Sequence, residues 1–455
     1  MTKNIDPVLK EIASIFNNAG KEIYLVGGAV RDMLRGQKIH DWDLATNAAP
    51  EEVTAIMRNK KGKVIPTGIK HGTVTVLYKE NSAEVTTFRT ESNYSDGRRP
   101  DKVSYAATIE EDLSRRDFTM NAIALRLPSG EVVDPFNGAK DIKAELIRCV
   151  GDASKRFSED GLRPLRAVRF ASQLGFIIEQ NTLDAIPDSL CVCEKVSCER
   201  VRDEIDKIIA SSLPSQGFRL MEETGLMDLF LKELSVCRGV EQKGFHQFDV
   251  LGHLLLACDF AASKNYSQEV RLASLFHDIG KPSCRAIDEA SGVITFYRHD
   301  EVSAALCRGI MERLRYPNAV TDKVCHLIKE HMFKYEDDWT DSAVRRFISR
   351  VGEENLEDMY SLRRCDAFAF AGKAGNFTSV NLFSKRIDEV LAEGRAFSLK
   401  DLAVSGNDLM TIGIPSGKMM GLILKELLET VLDDPAQNTR EKLLEIALRV
   451  YNERN

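Results

Sequence analysis

Apolar residues along this chain recur in two different rhythms. Over the first ~140 residues they come as short runs and alternations. KEIYLVGG is an apolar run ending in Gly-Gly, and KIHDWDLAT, GTVTVLY and AEVTTFRT read as further strands. After Arg148 helical spacing takes over, through GLRPLRAVRFASQLGF, SCERVRDEIDKIIASS, EVRLASLFHDIGK and MMGLILKELLETVL. Strand signals are weak beyond GEVVDPF. The pattern predicts a mixed α/β head followed by a long all-helical remainder, without internal repeats. Boundaries fall softly near residues 150, 236 and 375.

Composition narrows the class. A chain of 455 residues suggests about three domains. With 43% hydrophobic and 29% charged residues, its usage is that of ordinary globular proteins. No apolar run reaches the ~18 residues of a membrane helix. The start, MTKNIDPVLKEI, lacks the apolar stretch of a signal peptide, which predicts a cytoplasmic protein without a membrane partner. The ten cysteines then read as reduced, packed thiols. Cys191, Cys193 and Cys198 cluster but have no fourth zinc ligand nearby. A net charge of −7 argues against a chain coated in positive charge for nucleic acid, so any such contact must rest on local sites.

Candidate chemistry begins with Asp41 and Asp43 in HDWDLAT. Residues two apart on a strand share a face, so both carboxylates would project together while Trp42 and Leu44 face the other way. Like charges held so close repel unless a cation lies between them. Such a pair suits two Mg²⁺ ions and in-line phosphoryl displacement; from DxD alone, a surface strand with two solvated aspartates is the commoner case. The preceding YLVGGAVRD adds weight. Gly27 and Gly28 would let backbone N–H groups approach phosphate oxygens, and Arg31 on the first helical turn would point at the same anion.

GGAVRDMLRG followed by DWDLAT resembles the nucleotidyltransferase superfamily that includes DNA polymerase β, poly(A) polymerases and CCA-adding enzymes. RRDFTMNAIAL, DPFNGAKDI and EDGLRPLRAVRFASQLGF resemble, in order, the motifs of bacterial class II CCA-adding enzymes and their poly(A) polymerase relatives. The resemblance is strong over roughly 20–210 and implies a polymerase β-like head. It also implies protein side chains that read the base edge without a template. In EDGLRPLR, Asp160 and Arg163 stand three apart, which on a helix places them on one face. One offers acceptors and the other paired donors, enough to mimic a pairing partner for cytosine; an ordinary intrahelical salt bridge is the plain alternative. Pro164 fits only if the motif opens its helix. By the same resemblance Arg166 would face the triphosphate, and Arg116 and Asp117 would hold the incoming ribose and phosphates. The plain alternative for Asp117 is a helix cap beside a packed Phe118. Glu84 is a candidate third carboxylate near the metals. TESNYSDGRRP, between Arg89 and Asp101, reads as a mobile loop that in this family helps reset the pocket from CTP to ATP.

LFHDIGKP resembles the HD superfamily of metal phosphohydrolases. His277 and Asp278, with His253 and Asp366, would form one metal site. His299 and His331 would serve a second metal shared through Asp278, with Lys281 near the substrate phosphate; histidines that merely cap or line helices are the alternative. Residues 376–455 predict a helical tail, the part that grips tRNA in this family, with Lys418 at a turn that could meet a phosphate.

These readings predict four segments: a nucleotidyltransferase head (1–150), a helical neck that binds base and RNA (151–235), an HD metal-binding region (236–375) and the tail (376–455). The expected activity is Mg²⁺-dependent addition of CCA to tRNA from CTP and ATP, with an HD phosphohydrolase side activity on a divalent metal of unassigned identity. A poly(A) polymerase or an A-adding specialist shares the head motifs. An HD hydrolase with a degenerate head and a nonenzymatic RNA-binding protein fit the intact DxD and RRD less well. Oligomeric state is left open.

Overall fold

The computed structural model describes residues 5–39, 41–60, 62–69, 72–92, 102–242, 247–290, 292–333, 335–336, 338–371, 377–393 and 397–454. Most of the 89–101 loop therefore lies outside the described residues, as does His40. The chain divides into two compact units, Met1–Lys232 and Glu233–Asn455.

The first unit is built on a mixed seven-stranded sheet in the order β3-β4-β5-β2-β1-β8-β9. Its strands are β1 (Ile23–Val26), β2 (Trp42–Thr46), β3 (Lys63–Gly68), β4 (Thr73–Tyr78), β5 (Asn81–Thr87), β8 (Ala124–Arg126) and β9 (Val132–Val133). A separate antiparallel pair, β6 (Arg89–Ser92) and β7 (Lys102–Tyr105), flanks the 93–101 segment. Every residue of IYLV in β1 is buried, which explains its unbroken apolar run at the centre of the sheet. β2 pairs parallel with β5, setting Asp43 opposite Glu84. It starts at Trp42, so Asp41 stands just before the strand instead of within it.

The rest of this unit is helical. The helix Arg163–Leu174 carries Pro164 in its first turn, where a missing N–H leaves no intrahelical bond unmade. It stops at Gly175, φ 71°, and packs against Cys198–Ile209 and Pro214–Glu223.

The second unit is mainly helices. Val250–Ser263 is apolar nearly all round and correspondingly buried, which carries His253 into the interior at 0% exposure. Two small strand pairs correct the expected all-helical remainder. Leu146–Ile147 pairs parallel with Ile177–Ile178, and Arg285–Ile287 pairs antiparallel with Ile294–Phe296. Their two or three β-branched and apolar residues give too few alternations to register as strands in a sequence. Among the described residues no helix is long and apolar enough to cross a membrane.

Candidate active site

In the first unit, β1, β2, the segment 112–121 and the helix openings near 28, 163 and 198 meet around a cleft of 720 Å³. Gly27, Gly28, Arg31, Asp41, Asp43, Arg116 and Asp117 of the head and Asp160, Arg163 and Arg166 of the neck line it, while Glu84 does not. Trp42 lines a different hollow with Leu9 and Met33, and Leu44 is in the core, so the expected facing holds.

Gly27 caps the helix Gly28–Leu34 at φ 70°. A Cβ there would stand 2.8 Å from Arg116 Nη1, so a side chain at this left-handed position would be strained and would push the guanidinium aside. The Arg116 guanidinium has only long bonds, 3.4 Å to Asp112 and 3.5 Å to the Asn121 carbonyl, and its buried Nε has no partner. A part-buried, under-bonded guanidinium beside a bare backbone turn is what an anionic ligand would complete. Asp43 is part-buried; burial, then the neighbouring Glu84, push its carboxyl above the usual range, against the pull of Arg116. Asp41 adds to the push. Crowded carboxylates in this state fit a divalent cation, which would hold them ionised.

The templating pair needs correction. Asp160 and Arg163 do not share a helical face. Asp160 ends the helix Ala153–Glu159 in an extended conformation, and Arg163 opens the next one. At Gly161, between them, a Cβ would lie 2.4 Å from the Val192 carbonyl oxygen, so the chain passes too close there for a side chain. Nor are the two bonded to each other. Asp160 accepts from Arg200 at 2.9 and 3.3 Å and from the Leu162 N–H at 3.0 Å. Arg163, 7% exposed, donates to Glu159 at 2.6 Å and to the carbonyls of Arg156 and Arg115. Each is thus held separately at the cleft wall, Asp160 by Arg200 and Arg163 by Glu159.

Asp117 also departs from expectation. It accepts from the Phe118 N–H, from Asn121 Nδ2, and from Nε and Nη2 of Arg166. Those four donors fill the about four lone-pair sites of a carboxylate. As it stands, Asp117 orients Arg166 and has no site open for a ribose hydroxyl; nor is it a helix cap, since the turn Thr119–Asn121 follows Phe118 without a side-chain cap bond. Arg31 donates to Asp32 and to Asn121, and its guanidinium lies 5.3 Å from the Phe170 ring. Asn121, Asp112, Glu159 and Arg200 were not singled out by sequence. Asn121 and Glu159 lie inside or beside quoted motifs, but nothing in residue type or spacing announces that they bond to charged neighbours. Asp112 is 1% exposed and holds Arg115 and Arg116; burial opposes its ionisation, yet Arg115 keeps its carboxyl below the usual range.

The second unit gathers His253, His277, Asp278 and Asp366 with ligand atoms all within 4.8 Å of one another, and Asp278, His299 and His331 likewise. Asp278 is split between the groups. Its Oδ2 lies 3.4 and 3.3 Å from Nε2 of His253 and His277, and its Oδ1 lies 3.1 and 3.8 Å from Nε2 of His299 and His331. His277, His299 and His331 each have Nδ1 at 2.6–2.9 Å from the carbonyl three residues earlier, which fits Nδ1–H donation and turns Nε2 inward. Buried Asp278 Oδ1 and His299 Nε2 face each other without a hydrogen bond. Burial disfavours charge on His277, but Asp278 and Asp366 override it and push the ring up to about 10. A field that holds a proton so firmly fits a metal cation. Lys281 donates to Asp278 at 2.6 Å and to Gln242 at 2.7 Å, and Arg363 holds the outer oxygen of Asp366. The cysteines are all free, and among the described residues none joins a metal group.

The sheet and its charged cleft define a nucleotidyltransferase head. Residues 23–148 match the family model of the Poly A polymerase head domain, 175–237 that of an RNA and SrmB-binding site of polymerase A, and 294–447 a tRNA nucleotidyltransferase domain 2. The chain is 34% identical to the CCA-adding enzyme of Lactobacillus delbrueckii subsp. bulgaricus over 439 residues, 96% of each. With the Lactobacillus johnsonii CCA-adding enzyme it is 50% identical over 222 residues, 49% of this chain and about half, 54%, of that one. The structure of the Bacillus stearothermophilus CCA-adding enzyme in complex with CTP superimposes with a TM-score of 0.72 at 30% identity, covering 99% of both chains. The chain belongs to the CCA-adding enzyme family.

Proposed function

We propose that this protein adds C, C and A in turn to the 3′ end of tRNA, taking CTP and ATP as substrates, in the cytoplasm. The convergence of the Gly-Gly turn, two aspartates and the arginines of RRD and EDGLR on one 720 Å³ cleft carries the reading. Asp41 and Asp43 would hold Mg²⁺, which when bound activates the attacking 3′-hydroxyl and stabilises the leaving pyrophosphate. Gly27 and Gly28 present backbone to the triphosphate, and Arg31, Arg116 and Arg166 neutralise it. Asp160 and Arg163 meet the base edge with acceptors and donors. The working segments are the head (1–150), neck (151–235), HD region (236–375) and tail (376–455). The test incubates pure protein with tRNA ending at the discriminator base, with CTP and ATP singly and together. Product that stops three residues on only when both are present supports the reading. Long A-tails or A-only addition to tRNA ending in CC would replace it.

A second activity rests on the split carboxylate of Asp278. The six-member His/Asp group suits one or two divalent metals, which would activate water near neutral pH. Lys281 would then neutralise a phosphate monoester or 2′,3′-cyclic phosphate. Hydrolysis of such ends by the pure protein with Mg²⁺, Mn²⁺, Ni²⁺ or Co²⁺ tests it.

A further inference from the structure

Asn121 ends the one-turn segment Thr119–Asn121, is 6% exposed and lines the cleft. Its side chain makes two bonds of opposite sense. Oδ1 accepts from Arg31 Nη1 at 3.0 Å, and Nδ2 donates to Asp117 Oδ1 at 3.2 Å. A side-chain amide carries an acceptor and donors at fixed spacing, so it can bridge a cation and an anion at once. A carboxylate here would suit Arg31 and repel Asp117; an alanine would suit neither. Asp117 in turn holds Arg166 through two donors at 2.9 and 2.6 Å. The far ends of this chain meet again: the guanidiniums of Arg31 and Arg166 lie 5.3 and 5.5 Å from the centroid of one ring, Phe170. Arg31, Asn121, Asp117 and Arg166, with Phe170 between the two arginines, therefore form a closed circuit. It ties the Gly-Gly helix to the helix that begins at Arg163.

We propose that Asn121 is a positioning residue that sets the spacing between Arg31 and Arg166, and so holds the triphosphate of any incoming nucleotide in one register, independent of its base. This rests on the nucleotide-pocket reading above. Asn121 touches neither Asp160 nor Arg163 through any bond seen here, so base choice lies outside its reach.

The experiment compares Asn121→Ala and Asn121→Asp with wild type in the full chain. KM and kcat are measured for CTP on tRNA lacking CCA and for ATP on tRNA ending in CC. Exclusion of UTP and GTP, binding of a fluorescent ATP analogue without tRNA, and melting temperature are followed alongside. The expected result is a KM for CTP and ATP raised by the same factor, about tenfold for the loss of hydrogen bonds to charged groups. Analogue binding weakens in parallel and UTP and GTP stay excluded. Asn121→Asp keeps the Arg31 acceptor but sets a like charge beside Asp117, so it is expected to fall at or below Asn121→Ala. Relaxed exclusion of UTP or GTP at unchanged KM would overturn the proposal, as would unchanged KM in both variants. Variants that melt lower but keep wild-type KM and analogue binding would mark Asn121 as structural and overturn it too. If wild type itself incorporates no nucleotide, the pocket reading fails; an active wild type with unaffected variants refutes only the role of Asn121.

Discussion

Asp117 and Arg166 are joined through a single carboxylate oxygen, Oδ2, which accepts from Nε at 2.9 Å and from Nη2 at 2.6 Å. Burial alone would raise the Asp117 carboxyl, but Arg166 holds it well below the usual range. A depressed folded-state pKa means that the pair's stabilisation is complete above the unfolded value, about 3.9, and is lost as pH falls through the folded one. Asp117→Asn should therefore cost about 3 kcal/mol at pH 7, the low end for breaking a buried pair, because Arg166 keeps some exposure. The gap to wild type should stay constant above about pH 5 and narrow below about pH 4. Chemical denaturation of both proteins from pH 3 to 7 checks this; a gap that widens in acid contradicts it.

Asp43 stands opposite Glu84 in the sheet and lines the cleft with Asp41. Asp41→Ala or Asp43→Ala should abolish addition of both C and A while tRNA binding persists, since no neighbouring group can replace a metal ligand. Primer extension with each nucleotide, beside a filter-binding assay, gives the answer. Addition at near wild-type rate in either variant would remove the metal assignment.

Gly27 has φ 70°, and a Cβ there would displace the Arg116 guanidinium. Gly27→Ala should raise nucleotide KM about tenfold or more through displacement of Arg116 and backbone strain. Steady-state kinetics with CTP at saturating tRNA measures it, and an unchanged KM would show that this turn does not carry the triphosphate.

Arg163 is anchored by Glu159, and Asp160 by Arg200. Arg163→Ala should lower discrimination against UTP and GTP by about 1–3 kcal/mol, by analogy with bidentate base contacts. Glu159→Gln should do the same more weakly, since it loosens Arg163 without removing it. Competition assays with mixed nucleotides decide the matter; a loss of rate with intact discrimination would make this helix start structural.

His277 lies in the buried His/Asp group. His277→Ala combined with Asp278→Ala should strip divalent metal from a chain already lacking Asp41 and Asp43, and should end phosphoester hydrolysis. In the otherwise wild-type chain the same pair should leave CCA addition intact. Metal content by elemental analysis and hydrolysis of a 2′,3′-cyclic nucleotide provide the two readouts.

The order of elements and most candidate residues were legible because each depends on near neighbours. The apolar run IYLV before Gly-Gly, and the helical spacing after Arg148, need only local periodicity to be recognised. Pro164 in the first turn was legible for the same reason, since its ring admits few other places in a helix. The six His and Asp positions of the second unit were nameable as residue types in order, through a resemblance. Their convergence within 4.8 Å was decided by the packing of helices far apart in sequence. Tertiary structure alone showed why Gly161 admits no side chain, because the Val192 carbonyl comes from 31 residues further on and lies 2.4 Å from where its Cβ would be. It alone filled the lone pairs of Asp117, whose partner Arg166 lies 49 residues away. Hydrogen-bond saturation and close backbone approach are properties of space, and a one-dimensional pattern records only who could take part.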